Sequence, residues 1–101
     1  MRMIFVNLPV KDLDASKAFF TALGFAFNPQ FTDQTAACMV VEENISVMLL
    51  TEARFRDFIT GEISDATRAT EVLTCLSADS RAQVDELTAR AMAAGAKPGS
   101  R

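Results

Sequence analysis

The chain has 101 residues, of which 50% are hydrophobic and 23% charged, with a formal net charge of −3 and no histidine. That length allows one domain with a small core, and the balance of apolar to charged residues is that of a folded globular protein, not of a disordered one. A net negative charge gives a polyanion no electrostatic reason to bind, which excludes nucleic acid as an expected partner.

Ile4, Val6, Leu8 and Val10 alternate with Phe5, Asn7 and Pro9, the period of a strand with one aliphatic and one mixed face. Asp12 or Asp14 can cap a following helix, because a short carboxylate accepts from the unpaired N–H groups of a first turn. Leu13, Ser16, Phe20 and Leu23 then lie three and four apart, an apolar stripe to set against a sheet, and Gly24 ends the helix. Phe25 to Phe31 reads as a strand interrupted by Asn28 and Pro29, Thr35 to Val41 as a more apolar strand, and Ile45 to Leu50 as another, with Glu42, Glu43 and Asn44 as the turn between the last two. One βαβββ unit, residues 1–51, is complete at that point. Thr51 can cap a short connecting helix carrying Phe55, Phe58 and Ile59 on one side, and the polar stretch up to residue 69 reads as a linker, so that 52–69 join two modules.

The opening pattern then returns. Thr70 to Leu76 alternates like a strand, Ser80 with Gln83 fits a capping box, and Val84, Leu87, Ala91 and Ala94 make a helical stripe ending at Gly95. Residues 70–96 are thus the βα half of a second module, followed by a tail, 97–101, whose Pro98 and Gly99 argue against a further strand. Completing the repeat takes three more strands, about 20–30 residues at usual strand and loop lengths. The expected architecture is α+β, with paired βαβββ modules and the second incomplete, whether the gene product is short or the sequence is a fragment. Open strand edges and uncovered apolar surface then predict self-association, as a homodimer or a domain-exchanged oligomer.

The run Leu8, Pro9, Val10, Asp12, Leu13, Ser16, Phe19, Phe20, Leu23, Gly24 and Phe25 resembles the opening motif of the glyoxalase, bleomycin-resistance and extradiol-dioxygenase group, the vicinal-oxygen-chelate superfamily. The resemblance implies two βαβββ modules enclosing a small-molecule cavity between curved sheets, with a divalent metal often bound at its base. In metal-using relatives the ligands are His, Gln or Glu side chains from the first and last strands of each module. Where the family often has a first-strand histidine this chain has Phe5, and the carboxylate nearest the fourth strand is Glu52, at its end. Glu71 falls at the second-module ligand position and is the one conceivable metal ligand that matches the family. One carboxylate is not a site, so no cofactor is expected.

Without histidine there is no imidazole acid or base and no Ser-His or Cys-His pair. Glu71 remains the candidate catalytic group, as a base whose pKa an apolar wall would raise, set against the ordinary fate of a solvated carboxylate or one paired with Arg68. Cys38 and Cys75 both fall in expected strands, where thiols are usually buried and reduced. No apolar run is long enough to cross a bilayer and residues 1–10 lack a cleavable leader pattern, so a cytoplasmic location without a membrane partner is expected.

Phe5, Phe25, Phe27 and Phe31 are candidates to line a concave cavity for a flat apolar ligand, with Asn7 as its hydrogen-bonding group. The candidate ligand-binding set is Phe5, Asn7, Phe27, Met48, Glu71 and Cys75. Three functions fit: a metal-independent small-molecule binder of the bleomycin-resistance kind, which is favoured; a metal-dependent lyase or dioxygenase whose site is completed by residues beyond this sequence or by a second chain; and a truncated domain whose main property is association.

Overall fold

A computed structural model describes residues 1–97. The elements run β1 (Ile4–Val10), α1 (Leu13–Ala22), β2 (Ala26–Phe27), a 3-10 turn (Pro29–Phe31), β3 (Ala36–Glu42), β4 (Ile45–Thr51), α2 (Glu52–Arg56) and α3 (Arg81–Ala93). The strands form one sheet in the order β1-β4-β3-β2. β1 runs parallel to β4, whereas β3 is antiparallel to both β4 and β2. A parallel neighbour requires a long crossover, and the crossover here begins with α1.

Local chemistry explains most boundaries. Asp12, not Asp14, is the α1 cap: its Oδ1 accepts from the Ala15 N–H at 3.0 Å. At the other end the Phe25 N–H donates to the Phe20 carbonyl at 3.1 Å and the Gly24 N–H to that of Thr21 at 3.0 Å. This is a Schellman closure, with the Phe20 and Phe25 rings meeting edge-on at 6.2 Å as its apolar clasp. α3 repeats the device, since the Ser80 hydroxyl accepts from the Gln83 N–H and the Ala96 N–H closes on the Ala91 carbonyl.

Leu13, Ala37, Met39, Val47 and Leu49 form the buried cluster between α1 and the sheet, with Val6, Leu8, Val10, Phe20, Phe25, Phe27 and Val41 packed around it. Full burial of a Leu or Val side chain contributes about 1.5–3 kcal/mol, so this one layer supplies most of the folding energy. α3 contributes no buried residue, and Val84 on its expected stripe is half exposed.

Two expected strands differ. Residues 25–31 yield only the two-residue β2, because Asn28 Oδ1 turns to accept the Gln30 N–H at 3.0 Å and Pro29 has no N–H to give a ladder. Residues 70–76 have no regular structure at all. A strand exists only as one side of a hydrogen-bond ladder, and no neighbouring strand pairs with this segment among the described residues. Cys75 is exposed as a result, against the expectation of burial, whereas Cys38 in β3 is buried.

The start of β3 has a pH-sensitive clasp. Asp33 Oδ1 accepts from the Thr35 N–H at 2.7 Å, the Thr35 hydroxyl at 2.8 Å and the Ala36 N–H at 3.0 Å. These bonds, the Thr35 backbone bond first, hold its carboxyl below the ordinary aspartate value of 3.8. A folded-state pKa below the unfolded one means that the stabilisation is complete above the unfolded value and is lost as pH falls through the folded one. Asp33→Ala is therefore expected to be less stable than the parent at pH 7 and to converge with it under acid. Urea midpoints taken across that range check this, and a gap that stays constant down to the most acidic point would refute it.

Candidate functional site

Strand register decides which side chains share a surface. In β1, Val6, Leu8 and Val10 face the α1 side and pack on the core, so Phe5, Asn7 and Pro9 occupy the opposite face. The register pairs Phe5 with Ser46, Asn7 with Met48 and Pro9 with Leu50, and β3 adds Cys38 opposite Met48 and Ala36 opposite Leu50. Cys38, Ser46 and Leu50 are buried even so, since α2 packs on β1 and β4 and the 3-10 turn packs on β3. The open part of this face consists of Phe5, 45% exposed, with exposed Asn7 and half-buried Met48. The Asn7 amide nitrogen donates to the Phe5 carbonyl at 3.2 Å. A carbonyl only accepts, so the nitrogen must face it and Oδ1 turns elsewhere.

Phe27 does not belong to this surface. It pairs with Met39 and packs with the core on the α1 side, one strand position out of phase with the ligand face. Phe25 packs on that core as well.

Glu71 lies in a different place, an open groove of about 790 Å³ shared with Pro9, Lys11, Glu52, Arg56, Glu62 and Asp65. Four carboxylates and two cations thus line one depression, but they do not converge: among the described residues no three His, Cys, Asp or Glu side chains come together to hold a metal ion. Asp65 is committed locally, accepting from the Thr67 hydroxyl at 2.6 Å and the Thr67 N–H at 3.0 Å. Those two bonds, the hydroxyl first, hold its carboxyl below the usual range, with Lys11 adding to them. The donor set present does not fit the divalent metal that the fold suggests.

Cys75 lines a second groove, of about 480 Å³, with Phe25, Val41, Ile45 and Leu87, against the α1 side of the sheet. The six expected ligand-binding residues are therefore divided. Phe5, Asn7 and Met48 come together, while Phe27, Glu71 and Cys75 each lie elsewhere. Glu62 and Asp65 were invisible as groove residues in the sequence, because a polar linker carries no periodicity to show which way it folds back, and Lys11 and Arg56 join them only through that fold-back.

Comparison with known proteins adds to this geometry. The bleomycin resistance protein-like N-terminal family matches residues 2–42, the stretch from β1 to the end of β3. The structure of hypothetical protein SA1046 from S. aureus superposes with a TM-score of 0.76 at 26% identity, covering 94% of this chain and 70% of that one. The opening strand, helix and strands of the chain thus carry a sequence likeness to the bleomycin resistance protein-like N-terminal family. The crystal structure of a glyoxalase/bleomycin resistance protein/dioxygenase family enzyme from Burkholderia phytofirmans PsJN shares the fold with a TM-score of 0.65 at 17% identity, over 94% of this chain and 74% of that one. No curated protein matches the chain. The likeness of fold extends beyond residue 51, since coverage of 94% takes in residues from the α3 half as well. No helix among the described residues is long and apolar enough to cross a membrane.

Proposed function

We propose that the chain is a glyoxalase/bleomycin-resistance superfamily protein that acts as a metal-independent binder of a small apolar or planar molecule, held on the open sheet face of β1 and β4. The observation that carries the reading is the pairing of Asn7 with Met48 beside an exposed Phe5, on the side of the sheet away from α1. Such a surface offers an aromatic ring, a polarizable thioether and one amide to fix orientation, the composition of a small-molecule site. The protein acts in the cytoplasm, as a homodimer or exchanged oligomer in which two copies shield the exposed Ile4 and Leu73.

A thermal-shift screen with substituted naphthols and quinolines tests the reading. A compound at about a hundred times its Kd stabilises by roughly 2.7 kcal/mol, which raises Tm by about 10–20 °C for a chain of this length. Phe5→Ala and Asn7→Ala are each expected to remove at least half of that shift, while the unliganded Tm moves by only a few degrees. Full shifts in both variants would exclude this face as the site.

A second reading, a divalent-metal-dependent lyase or dioxygenase, draws support from Glu52 and Glu71 sharing one groove. It requires further donors from another chain or from sequence beyond this one. Stoichiometric manganese, nickel, zinc or iron retained through mild chelation would favour it over the binder.

A further inference from the structure

The α1 side of the sheet carries a groove that the core does not fill. It lies between the end of α1, the turn end of β3 and β4, and α3, and its volume of about 480 Å³ is within the roughly 300–1,000 Å³ of small-molecule clefts. Leu23, Phe25, Val41, Ile45 and Leu87 form its apolar walls, and each is only half-buried. α3 has no buried residue, so it borders this groove without filling it.

A break in the ladder brings a carboxylate to the apolar wall. Val40 pairs with Ser46, but the next pair is Glu42 with Ile45, which leaves Val41 as the extra residue of a β-bulge. In unbroken pairing Glu42 would share the opposite face with Cys38 and Val40. The bulge turns it to the side of Ile45, and Val41 and Glu42, neighbours in sequence, both line the groove.

The charges around the groove leave it negative. Arg90 Nη2 is held at 2.6 Å by Glu86 Oε1, and Nη1 lies 3.2 Å from where a Cβ on Gly24 would stand, over the C-terminal end of α1. That end is the negative pole of the helix, and α1 has no basic residue of its own in its last turn. Arg90 is thus matched by Glu86 and the helix end, whereas Glu42 takes part in no ion pair among the described residues.

We propose that this groove is a binding site for a small amphiphilic organic cation, a primary ammonium on an apolar arm. The arm lies along Leu23, Phe25, Ile45 and Leu87, and the ammonium meets the Glu42 carboxylate that the bulge has turned towards them. An anion of the same shape meets Glu42 and Glu86 instead and is rejected. The site is across the sheet from Phe5 and Asn7 and does not depend on any ligand there.

Cys75 supplies the readout in the unaltered chain, because it lines the groove and is exposed whereas the other thiol, Cys38, is buried. The probes are 4-phenylbutylammonium, its neutral analogue 4-phenylbutanol and the anion 4-phenylbutyrate, with the neutral thiol reagent methyl methanethiosulfonate labelling Cys75. Saturating 4-phenylbutylammonium is expected to slow labelling about fivefold by covering the thiol. It is expected to do so at about one-tenth of the concentration needed of the alcohol, with the butyrate weakest. Glu42 is exposed, so Glu42→Gln is expected to fold as the parent does and to bring ammonium and alcohol level, while Glu42→Lys reverses the order in favour of the butyrate. No protection by the ammonium, equal protection by all three probes, or a preference for the ammonium that survives Glu42→Gln overturns the proposal. Such a failure leaves the reading of the open face intact, since labelling of Cys75 reports this groove alone.

Discussion

Leu49→Ala is expected to lower stability by about 2–5 kcal/mol, a large share of the roughly 5–15 kcal/mol by which a domain of this size is stable. Leu49 is 1% exposed, sits at the centre of β4 and belongs to the cluster shared by α1, β3 and β4. β4 is also the strand that joins β1 to β3, so its loss of packing is felt on both sides of the sheet. Neither α3 nor the segment before it offers a second buried layer to compensate. Urea unfolding followed by circular dichroism measures the loss. A fall of less than about 1 kcal/mol would show that the site collapses around the smaller side chain and that the core is less rigid than its burial implies.

Gly24→Val is expected to cost about 2 kcal/mol, chiefly through the backbone. Gly24 closes α1 with φ +102°, a conformation that residues with a Cβ rarely adopt. A Cβ there would lie 3.2 Å from Arg90 Nη1, but that atom is the end of a long side chain and can move aside. Strain at φ, not collision, therefore decides the sign. Gly95 provides the comparison, because its φ is +106° with nothing near a built Cβ. Gly95→Val is expected to cost less in global stability, since it closes a helix with no buried residue, whereas Gly24 fixes the turn by which Phe25 reaches the core. Combining Gly24→Val with Arg90→Ala separates the two causes. Recovery of most of the loss in the double variant would mean that the contact, and not the torsion, was the source.

The elements that were legible in the sequence are those whose signals are local. The alternation from Ile4 to Val10, the cap at Asp12, the closure at Gly24, the turn at Glu43 and Asn44 and the Ser80–Gln83 start of α3 each depend on residues within a few positions of one another. The misread segments depend on partners far away in the chain. Residues 70–76 have the composition of a strand, but composition supplies no ladder. Phe27 shows the same limit in the site: its aromatic side chain suited a pocket, yet a one-residue phase difference along β2 sends it to the core beside Met39.

The sequence by itself determined the βαβββ order, the helix boundaries and the lack of any imidazole, because each follows from residue identity and short-range spacing. Tertiary structure alone decided that Phe5, Asn7 and Met48 share an open face, that Glu71 turns into a groove with Glu52, and that Cys75 lies exposed. The physical reason is that strand register and the path of a polar loop are set by the packing of the whole sheet. A side chain's chemistry says what it can bind, whereas its neighbours across the ladder say whether it faces anything at all.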